Sequence, residues 1–167
     1  MAAQPHWIPA YVGLGSNLGD PLAQVQRAID ALDELPTTRL VAASGLYRNP
    51  PLGPKDQPDY VNGVAGLLTQ LTPDALLAAL KSLEGALGRL PESMRWGPRH
   101  IDLDLLLHGN AVIDRPGLTL PHPGIADRPF VIKPLLDIAP DIDVPGLGRL
   151  AESVKVSAFA ALVPLGT

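Results

Sequence analysis

Two stretches of the chain carry apolar residues at helical spacing, and both begin with the same start signal. Asp20-Pro21 and Thr72-Pro73 each combine an N-cap side chain with a proline at the first helical position. The pattern predicts a helix over 21–34 and a second that ends at Gly88. Their apolar positions are Leu22, Val25, Ile29 and Leu32 in the first, and Leu76, Leu77, Leu80, Leu83 and Leu87 in the second.

Shorter apolar runs on either side of these helices predict strands. The runs cover 10–15, 39–47, 60–71 and 101–107. In the last run, alternate residues should face the core, namely Ile101, Leu103, Leu105 and Leu107. Gly109-Asn110 predicts a hairpin turn into 111–113, and short helices are expected near 130–138 and 149–156.

The order strand-helix-strand occurs twice, which predicts an α+β fold. We expect a ferredoxin-like sandwich, with a four-stranded antiparallel sheet and two helices on one of its faces. A C-terminal hairpin and short helices would add a further layer. We expect one domain over 1–167, because no linker, repeat or low-complexity tract interrupts the chain.

Two segments show neither helical nor strand periodicity. Prolines interrupt both 48–59 and 90–99, which excludes a helix or a central strand there. Irregular loops of this length in a small domain are usually functional. We interpret both as loops beside a site, able to act as lids that exclude water.

Composition narrows the class of protein. Apolar residues make up 46% of the chain and charged residues 18%, as in a folded domain, and the absence of cysteine excludes disulfides and thiolate metal sites. The net charge of -4 argues against nucleic-acid binding. Neither a signal peptide nor a membrane span is apparent. We therefore expect a cytoplasmic monomer without nucleic-acid or membrane partners.

The strand over 101–107 carries the strongest chemical signal. Asp102 and Asp104 lie on the face opposite its apolar residues, and two carboxylates at this spacing repel unless a cation lies between them. Hard oxygen ligands suit Mg²⁺. An amphipathic strand with a polar outer face explains the spacing equally well. Arg95 and Arg99 in the preceding loop favour the metal, because arginines beside a metal ion suit a polyphosphate.

Other polar residues stay ambiguous by themselves. Glu84 falls within the apolar arc of the second helix, with Lys81 at its rim, so it either pairs with a cation or contacts a ligand. Asn62 is compatible with an ordinary surface contact, Trp96 with a loop anchor, and His122 with a structural role between two prolines.

Five blocks of sequence together resemble one enzyme family. The blocks, from Gly15-Ser16-Asn17-Leu18 to Pro121-His122-Pro123, span about 11–145, and Arg95-Trp96-Gly97-Pro98-Arg99 followed by Ile101-Asp102-Leu103-Asp104 is the most specific of them. The remaining two are Tyr47-Arg48-Asn49-Pro50-Pro51-Leu52-Gly53 and Gln57-Pro58-Asp59-Tyr60-Val61-Asn62. The chain resembles the 6-hydroxymethyl-7,8-dihydropterin pyrophosphokinases. The resemblance implies transfer of a pyrophosphoryl group from ATP to the pterin, which yields AMP and the pterin diphosphate for folate synthesis.

The resemblance also implies roles for individual residues. Asp102 and Asp104 would bind two Mg²⁺ ions. The catalytic arginines would be Arg89 and Arg99. The nucleotide would contact Lys81, Glu84, Arg89, Trp96, Arg99, His122 and Arg128. The pterin would contact Asn49, Pro50, Leu52, Tyr60, Asn62 and Trp96, with Phe130 stacked on its ring.

Three positions depart from the family pattern. Pro91 stands where many relatives have an arginine, Gly117 where some have a basic residue, and Pro123 where some have a tyrosine. Arg115 is a candidate replacement for the basic residue that is missing at position 117. These changes concern ATP affinity and loop closure and leave the two carboxylates and Arg99 unchanged.

Two other functions are compatible with the predicted fold. A binding module without catalysis would not need paired carboxylates beside Arg99. An RNA-binding domain of this topology would need a basic surface and aromatic residues on its sheet. The aromatic content is only 4% and the isoelectric point is about 5.4, so RNA binding is disfavoured.

Overall fold

The computed structural model of the chain describes residues 6–50, 58–88 and 101–165. In these ranges it contains three α-helices, α1 (Pro21–Leu32), α2 (Pro73–Leu87) and α3 (Pro129–Ile138). The first five strands are β1 (Ile8–Ser16), β2 (Thr38–Ala43), β3 (Tyr47–Asn49), β4 (Tyr60–Thr69) and β5 (Asp102–His108), of which only β3 is as short as three residues. Five short strands follow: β6 (Ile113–Arg115), β7 (Leu118–Leu120), β8 (Asp143–Val144), β9 (Gly148–Arg149) and β10 (Val163–Pro164).

The predicted starts of the first two helices are confirmed. The Asp20 carboxylate accepts a hydrogen bond from the Ala23 N–H, and the Thr72 hydroxyl accepts one from the Ala75 N–H, both at 3.2 Å. Each cap satisfies an amide that has no partner within its helix. The second helix ends before Gly88 as expected, whereas α1 ends at Leu32, two residues before the predicted end.

The main sheet is antiparallel throughout. Its strands follow the order β10-β3-β4-β1-β5, and β2 pairs with β4 on the same edge as β3 but further along the strand. The predicted four-stranded sheet is therefore too small: β3 and β10 are additional strands. The pairing of β10 with β3 joins the C-terminal part of the chain to this sheet.

The prediction of a single strand over 39–47 is wrong, because the strand is interrupted at Ser44. The Ser44 hydroxyl accepts the Val64 N–H at 2.9 Å, in place of a backbone carbonyl. Pairing with β4 ends at Ala43 and resumes at Tyr47. As a result Arg48 and Asn49, which were predicted to begin a loop, belong to β3.

Helices cover both faces of the sheet, two on the predicted face and one in the expected added layer. Helices α1 and α2 pack against one face, and α3 packs against the other with the residues that follow it. The core residues of the first face include Val12, Val25, Leu67, Leu76, Leu80, Leu103 and Leu105. Those of the second face include Val64, Leu106, Leu107, Ile125, Ile132, Leu135, Val144 and Leu150.

The prediction that Leu107 shares a face with Leu103 and Leu105 is wrong. Leu107 is buried against the α3 side. The register between β1 and β5 shifts by one residue, since Tyr11 pairs with Leu107 whereas Val12 pairs with Leu105. A bulge of this kind reverses the alternation of side chains beyond it.

The C-terminal hairpin is present, but its turn is elsewhere. Gly109 and Asn110 do form a turn, yet β6 pairs with β7 and not with β5. The hairpin closes at Gly117, whose φ of +88° favours glycine. The helix expected at 130–138 is α3, whereas 149–156 holds parts of two 3₁₀ turns, Leu150–Glu152 and Val156–Phe159.

A partly buried hydrogen bond connects α3 to the sheet at β3. The Tyr47 hydroxyl on β3 donates to the Asp137 carboxylate on α3, which also accepts from Lys133 at 2.9 Å. Burial raises the pKa of Tyr47 to about 12, and Asp137 adds to the rise through its hydrogen bond and its charge. None of the helices in the described part of the chain is long and apolar enough to span a membrane.

This bond predicts a loss of stability at alkaline pH. Above the ordinary pKa of tyrosine, about 10, the unfolded chain releases the Tyr47 proton while the folded chain retains it up to a pKa of about 12. The free energy of unfolding should therefore fall as pH rises through this window. Tyr47→Phe should flatten that slope in urea-unfolding curves recorded between about pH 9 and pH 12. A slope as steep as that of the wild type would contradict the assignment.

Candidate active site

Three neighbouring strands place the predicted site residues side by side. Asn62 on β4 pairs with Gly15 on β1, and Gly15 pairs on its other edge with Asp102 on β5. Asp104 lies two residues further along β5 and pairs with Gly13. Side chains two residues apart point to the same face of a sheet. The amide and both carboxylates therefore lie on the face that α3 covers.

A cavity of about 330 Å³ opens on this face, and we call it the first cavity. Its volume is in the range of small-molecule sites. Its lining unites seven of the residues that the sequence singled out, which are Asn49, Tyr60, Asn62, Asp102, Asp104, Arg128 and Phe130. Asn62 comes from β4, the carboxylates from β5, and Arg128 and Phe130 from the start of α3, so three separate parts of the chain form one site.

A chain of hydrogen bonds fixes the orientation of the Asn62 amide. The Pro50 carbonyl can only accept, and it accepts from the Asn49 Nδ2 at 3.1 Å. The Asn49 Oδ1 therefore points the other way and accepts from the Asn62 Nδ2. Both amides are buried, Asn49 to 5% and Asn62 to 7% exposure. The orientation of Asn62 thus follows from the backbone at Pro50.

Sequence reasoning missed the glycines beneath the first cavity. A Cβ on Gly15 would lie 2.6 Å from the Asn62 Oδ1, which is closer than such atoms approach. The amide oxygen occupies the space that any other residue at this position would fill. The preceding Gly13 also lines the cavity, so β1 forms an open floor between Asn62 and the carboxylates. Gly15 belongs to a motif quoted above, but its role depends on a partner on another strand.

A second cavity of about 280 Å³ lies at the outer edge of β5. It is lined by Lys81 and His122, two residues predicted to contact the nucleotide, together with the polar Thr119 and the hairpin residue Gly117. Asp104 lines both cavities. The two spaces therefore meet at one of the paired carboxylates.

A hydrogen bond at one ring nitrogen of His122 determines where the proton of the neutral ring lies. Its Nδ1 accepts a hydrogen bond from the Gly124 N–H at 2.9 Å, which assigns the proton of the neutral ring to Nε2. Burial lowers the pKa of His122; the Asp104 charge opposes this effect and the Arg128 charge adds to it. The neutral ring offers an N–H donor.

The Arg128 side chain passes close to this histidine over Gly124. A Cβ on Gly124 would lie 2.9 Å from the Arg128 Cδ and 3.0 Å from the His122 Nδ1. Only a glycine leaves room for both side chains at this point. Arg128 and His122, which lie on opposite sides of this turn in the sequence, are thereby brought together.

Glu84 is buried, as its place in the apolar arc predicted. Only 8% of it is exposed, and its Oε1 accepts the Leu103 N–H at 2.8 Å. The same oxygen lies 3.6 Å from the Lys81 Nζ. The hydrogen bond between Glu84 and Leu103 thus connects α2 to β5, the strand that carries both carboxylates.

The two carboxylates suit a hard divalent cation. Asp102 and Asp104 are half-buried, share the first cavity and supply only oxygen donors. Among the described residues, no group of three or more His, Asp or Glu side chains could hold a metal ion. Mg²⁺ commonly takes one or two protein carboxylates and completes its shell with water and phosphate, so the residues present fit this ion.

Several predicted residues have no described position. Leu52, Arg89, Trp96 and Arg99 lie outside the described ranges, as does Pro91. Arg115, considered as a replacement for a base at Gly117, contacts the Asp74 carboxylate on the exposed surface.

Comparisons with known proteins agree on one family. The model of the 7,8-dihydro-6-hydroxymethylpterin-pyrophosphokinase family (HPPK) matches residues 11–140. A 2-amino-4-hydroxy-6-hydroxymethyldihydropteridine pyrophosphokinase of Pseudomonas aeruginosa is 49% identical over 152 residues, 91% of this chain and 93% of its own. One of the same name from Haemophilus influenzae is 45% identical over 158 residues, 95% of this chain and 98% of its own.

A solved structure shares the fold. The Plasmodium falciparum HPPK-DHPS crystal structure with pteroate aligns with a TM-score of 0.63 at 13% identity. The alignment covers 91% of this chain and 43% of the Plasmodium chain. The family model and the two bacterial relatives, which cover most of the chain, show that it belongs to the 7,8-dihydro-6-hydroxymethylpterin-pyrophosphokinase family.

Proposed function

We propose that the chain transfers a pyrophosphoryl group from ATP to the hydroxyl of 6-hydroxymethyl-7,8-dihydropterin, giving AMP and the pterin diphosphate for folate biosynthesis. Asp104 carries this proposal, because it lines both the first and the second cavity. A group that reaches two adjoining cavities is suitably placed between two substrates. Family membership supports the identity of those substrates.

The pterin is proposed to occupy the end of the first cavity at Asn62. A pterin is flat and has polar edges, so it requires an aromatic face and amide hydrogen bonds. Phe130 on α3 supplies the aromatic face. Asn62 on β4, oriented by Asn49 and Pro50, supplies the amide. Tyr60 lines the same end.

The nucleotide is proposed to occupy the second cavity and to reach Asp104. Lys81 offers a cation, and the His122 Nε2–H offers a neutral donor to a phosphate oxygen. Arg128 adds a guanidinium on the other side of Gly124. Arg89, Trp96 and Arg99, which lie outside the described residues, are proposed to contact the nucleotide as well.

Asp102 and Asp104 are proposed to hold Mg²⁺, two ions by analogy with the family. When bound, the metal supplies charge neutralisation on the polyphosphate. The residues of the chain align the pterin hydroxyl with the β-phosphorus of ATP. A bond forms between that oxygen and the β-phosphorus as the bond to the α,β-bridging oxygen breaks, AMP leaves with that bridging oxygen, and the hydroxyl proton is released to solvent. Alignment and charge stabilisation then supply most of the rate enhancement.

The fold is proposed to be a ferredoxin-like sandwich, extended at one edge. The order β5-β1-β4-β2, with α1 and α2 on one face, supports this assignment. We further propose a single domain over 1–167, supported by the pairing of β10 with β3. A cytoplasmic monomer that binds small molecules and not nucleic acid is consistent with the net charge of -4 and the absence of cysteine.

A product assay tests the proposed reaction. The chain is incubated with ATP, Mg²⁺ and 6-hydroxymethyl-7,8-dihydropterin, and nucleotides and pterins are followed by mass spectrometry. AMP and the pterin diphosphate should appear together and only with Mg²⁺. ADP as the product would indicate single phosphoryl transfer. A folded protein that binds ATP and forms no product would instead be a binding module.

Asp104→Asn should reduce turnover on the order of a hundredfold, because an amide keeps the shape of the side chain but loses the charge that a metal ion requires. Its thermal unfolding should stay close to that of the wild type, since Asp104 faces a cavity. Asp143→Asn, at the exposed position of β8, is the matched control and should retain full turnover. Near-normal turnover by Asp104→Asn would refute the metal assignment.

Gly15→Ala should weaken pterin binding by about tenfold, because the new methyl group displaces the Asn62 amide. The affinity for ATP should change little, since no nucleotide contact is proposed at Gly15. Gly85→Ala is the control, because a Cβ there meets nothing within 4 Å. Binding constants come from titration calorimetry with each substrate, and unchanged pterin affinity in Gly15→Ala would argue against this location.

A further inference from the structure

In the described part of the chain, a side chain and not a strand satisfies an amide at the outer edge of β5. Among the described residues, β5 pairs only with β1, and the Leu103 N–H points away from that partner. Leu103 is fully buried, and an unsatisfied amide at such a position is costly. The Glu84 carboxylate of α2 accepts this N–H at 2.8 Å.

This hydrogen bond lies between the two carboxylates. Leu103 separates Asp102 from Asp104 in the sequence, and these two residues pair with Gly15 and Gly13 on the inner edge. Further along the outer edge, the backbone N–H of His122 donates to the Leu106 carbonyl at 3.0 Å. The strand is therefore held from β1 on one side and from Glu84 and His122 on the other.

The environment of Glu84 explains how it stays in place. Its side chain is 8% exposed and its helix contributes Leu76 and Leu80, both fully buried, to the core that also contains Leu103. The nearby Lys81 is 55% exposed, so its ion pair with Glu84 is largely screened by solvent. Of these two described interactions of Glu84, the hydrogen bond to Leu103 is therefore the stronger constraint.

We propose that Glu84 is a positioning residue for the metal-binding strand: its carboxylate oxygen holds the Leu103 amide so that Asp102 and Asp104 keep one spacing and orientation. The inference rests on the proposed metal role of these two residues. It assigns Glu84 an action through the backbone, whereas the family resemblance placed it at the nucleotide.

The positioning role and a direct ligand contact differ in whether they need the negative charge of Glu84. Accepting an N–H requires only an oxygen at the right place, which the side-chain amide of glutamine also provides. A direct contact with a metal ion beside the nucleotide would depend on the negative charge. Glu84→Gln and Glu84→Met therefore separate them, because both keep the side-chain length and only glutamine keeps the oxygen.

The first measurement is amide hydrogen exchange at Leu103 in the ligand-free protein, followed by NMR. Exchange should be at least about tenfold faster in Glu84→Met than in the wild type, and close to wild type in Glu84→Gln. Wild-type exchange at Leu103 in Glu84→Met would overturn the inference, whatever its activity. This comparison needs no substrate, so its outcome is independent of the product assay that tests the proposed function.

The second measurement is turnover against Mg²⁺ concentration. Glu84→Met should require at least about tenfold more Mg²⁺ for half-maximal turnover, with little change in the KM for the pterin, and Glu84→Gln should stay within about threefold of the wild type. Equal losses in the two variants would assign a charge-dependent contact and refute the positioning role. Should Glu84→Met not fold, a large loss of turnover in Glu84→Gln would refute the role, and retained turnover with a protected Leu103 amide would support it.

Asp33→Ala provides a control for general destabilisation. Its carboxylate accepts the Leu40 N–H of β2 at 2.8 Å, so it makes the same kind of bond between a side chain and a strand. It lines neither cavity. This variant should leave the Mg²⁺ requirement unchanged, and a shift equal to that of Glu84→Met would mean that lost stability alone explains both.

Discussion

The antiparallel register of β4, β1 and β5 is the constraint on which the rest of the structure depends. It places Asn62, Gly15 and Asp102 in one row across the sheet, with Asp104 beside Gly13. Neighbouring strands lie about 4.8 Å apart, so a residue on β4 and one on β5 are separated by about 10 Å across β1. That span accommodates a bicyclic ring with its reacting group directed toward the carboxylates. A shift of one residue in either pairing would turn these side chains to the opposite face.

The two faces of the sheet serve different purposes. Helices α1 and α2 seal one face with a continuous apolar core, whereas α3 covers the other only in part. Because α3 begins at Pro129 and β1 contributes glycines, space remains between them for a cavity. Polar groups near it are held by hydrogen bonds, as between Asn49 and Asn62 and between Tyr47 and Asp137. Such bonds make a half-polar face compatible with a stable fold.

Local signals predicted the helices well and the strand details less well. The caps at Asp20 and Thr72 act within one turn of chain, so the sequence contains the whole interaction. The break at Ser44 depends on Val64 and the bulge before Leu107 depends on β1, and neither partner is close in sequence. For the same reason the turn at Gly109 was assigned to the wrong hairpin, because β6 finds its partner in β7.

The sequence by itself determined the family, since motifs such as Arg95 to Asp104 keep their residues in local order, and it predicted a set of site residues. It also placed Glu84 in a buried arc, because helical periodicity is a local property. Only the tertiary structure decided what those residues meet. The contact of Glu84 with the Leu103 amide and the approach of Asn62 to Gly15 each join distant segments, and their geometry follows from strand register and helix packing. Spacing along a chain carries no information on such distances until the sheet has formed.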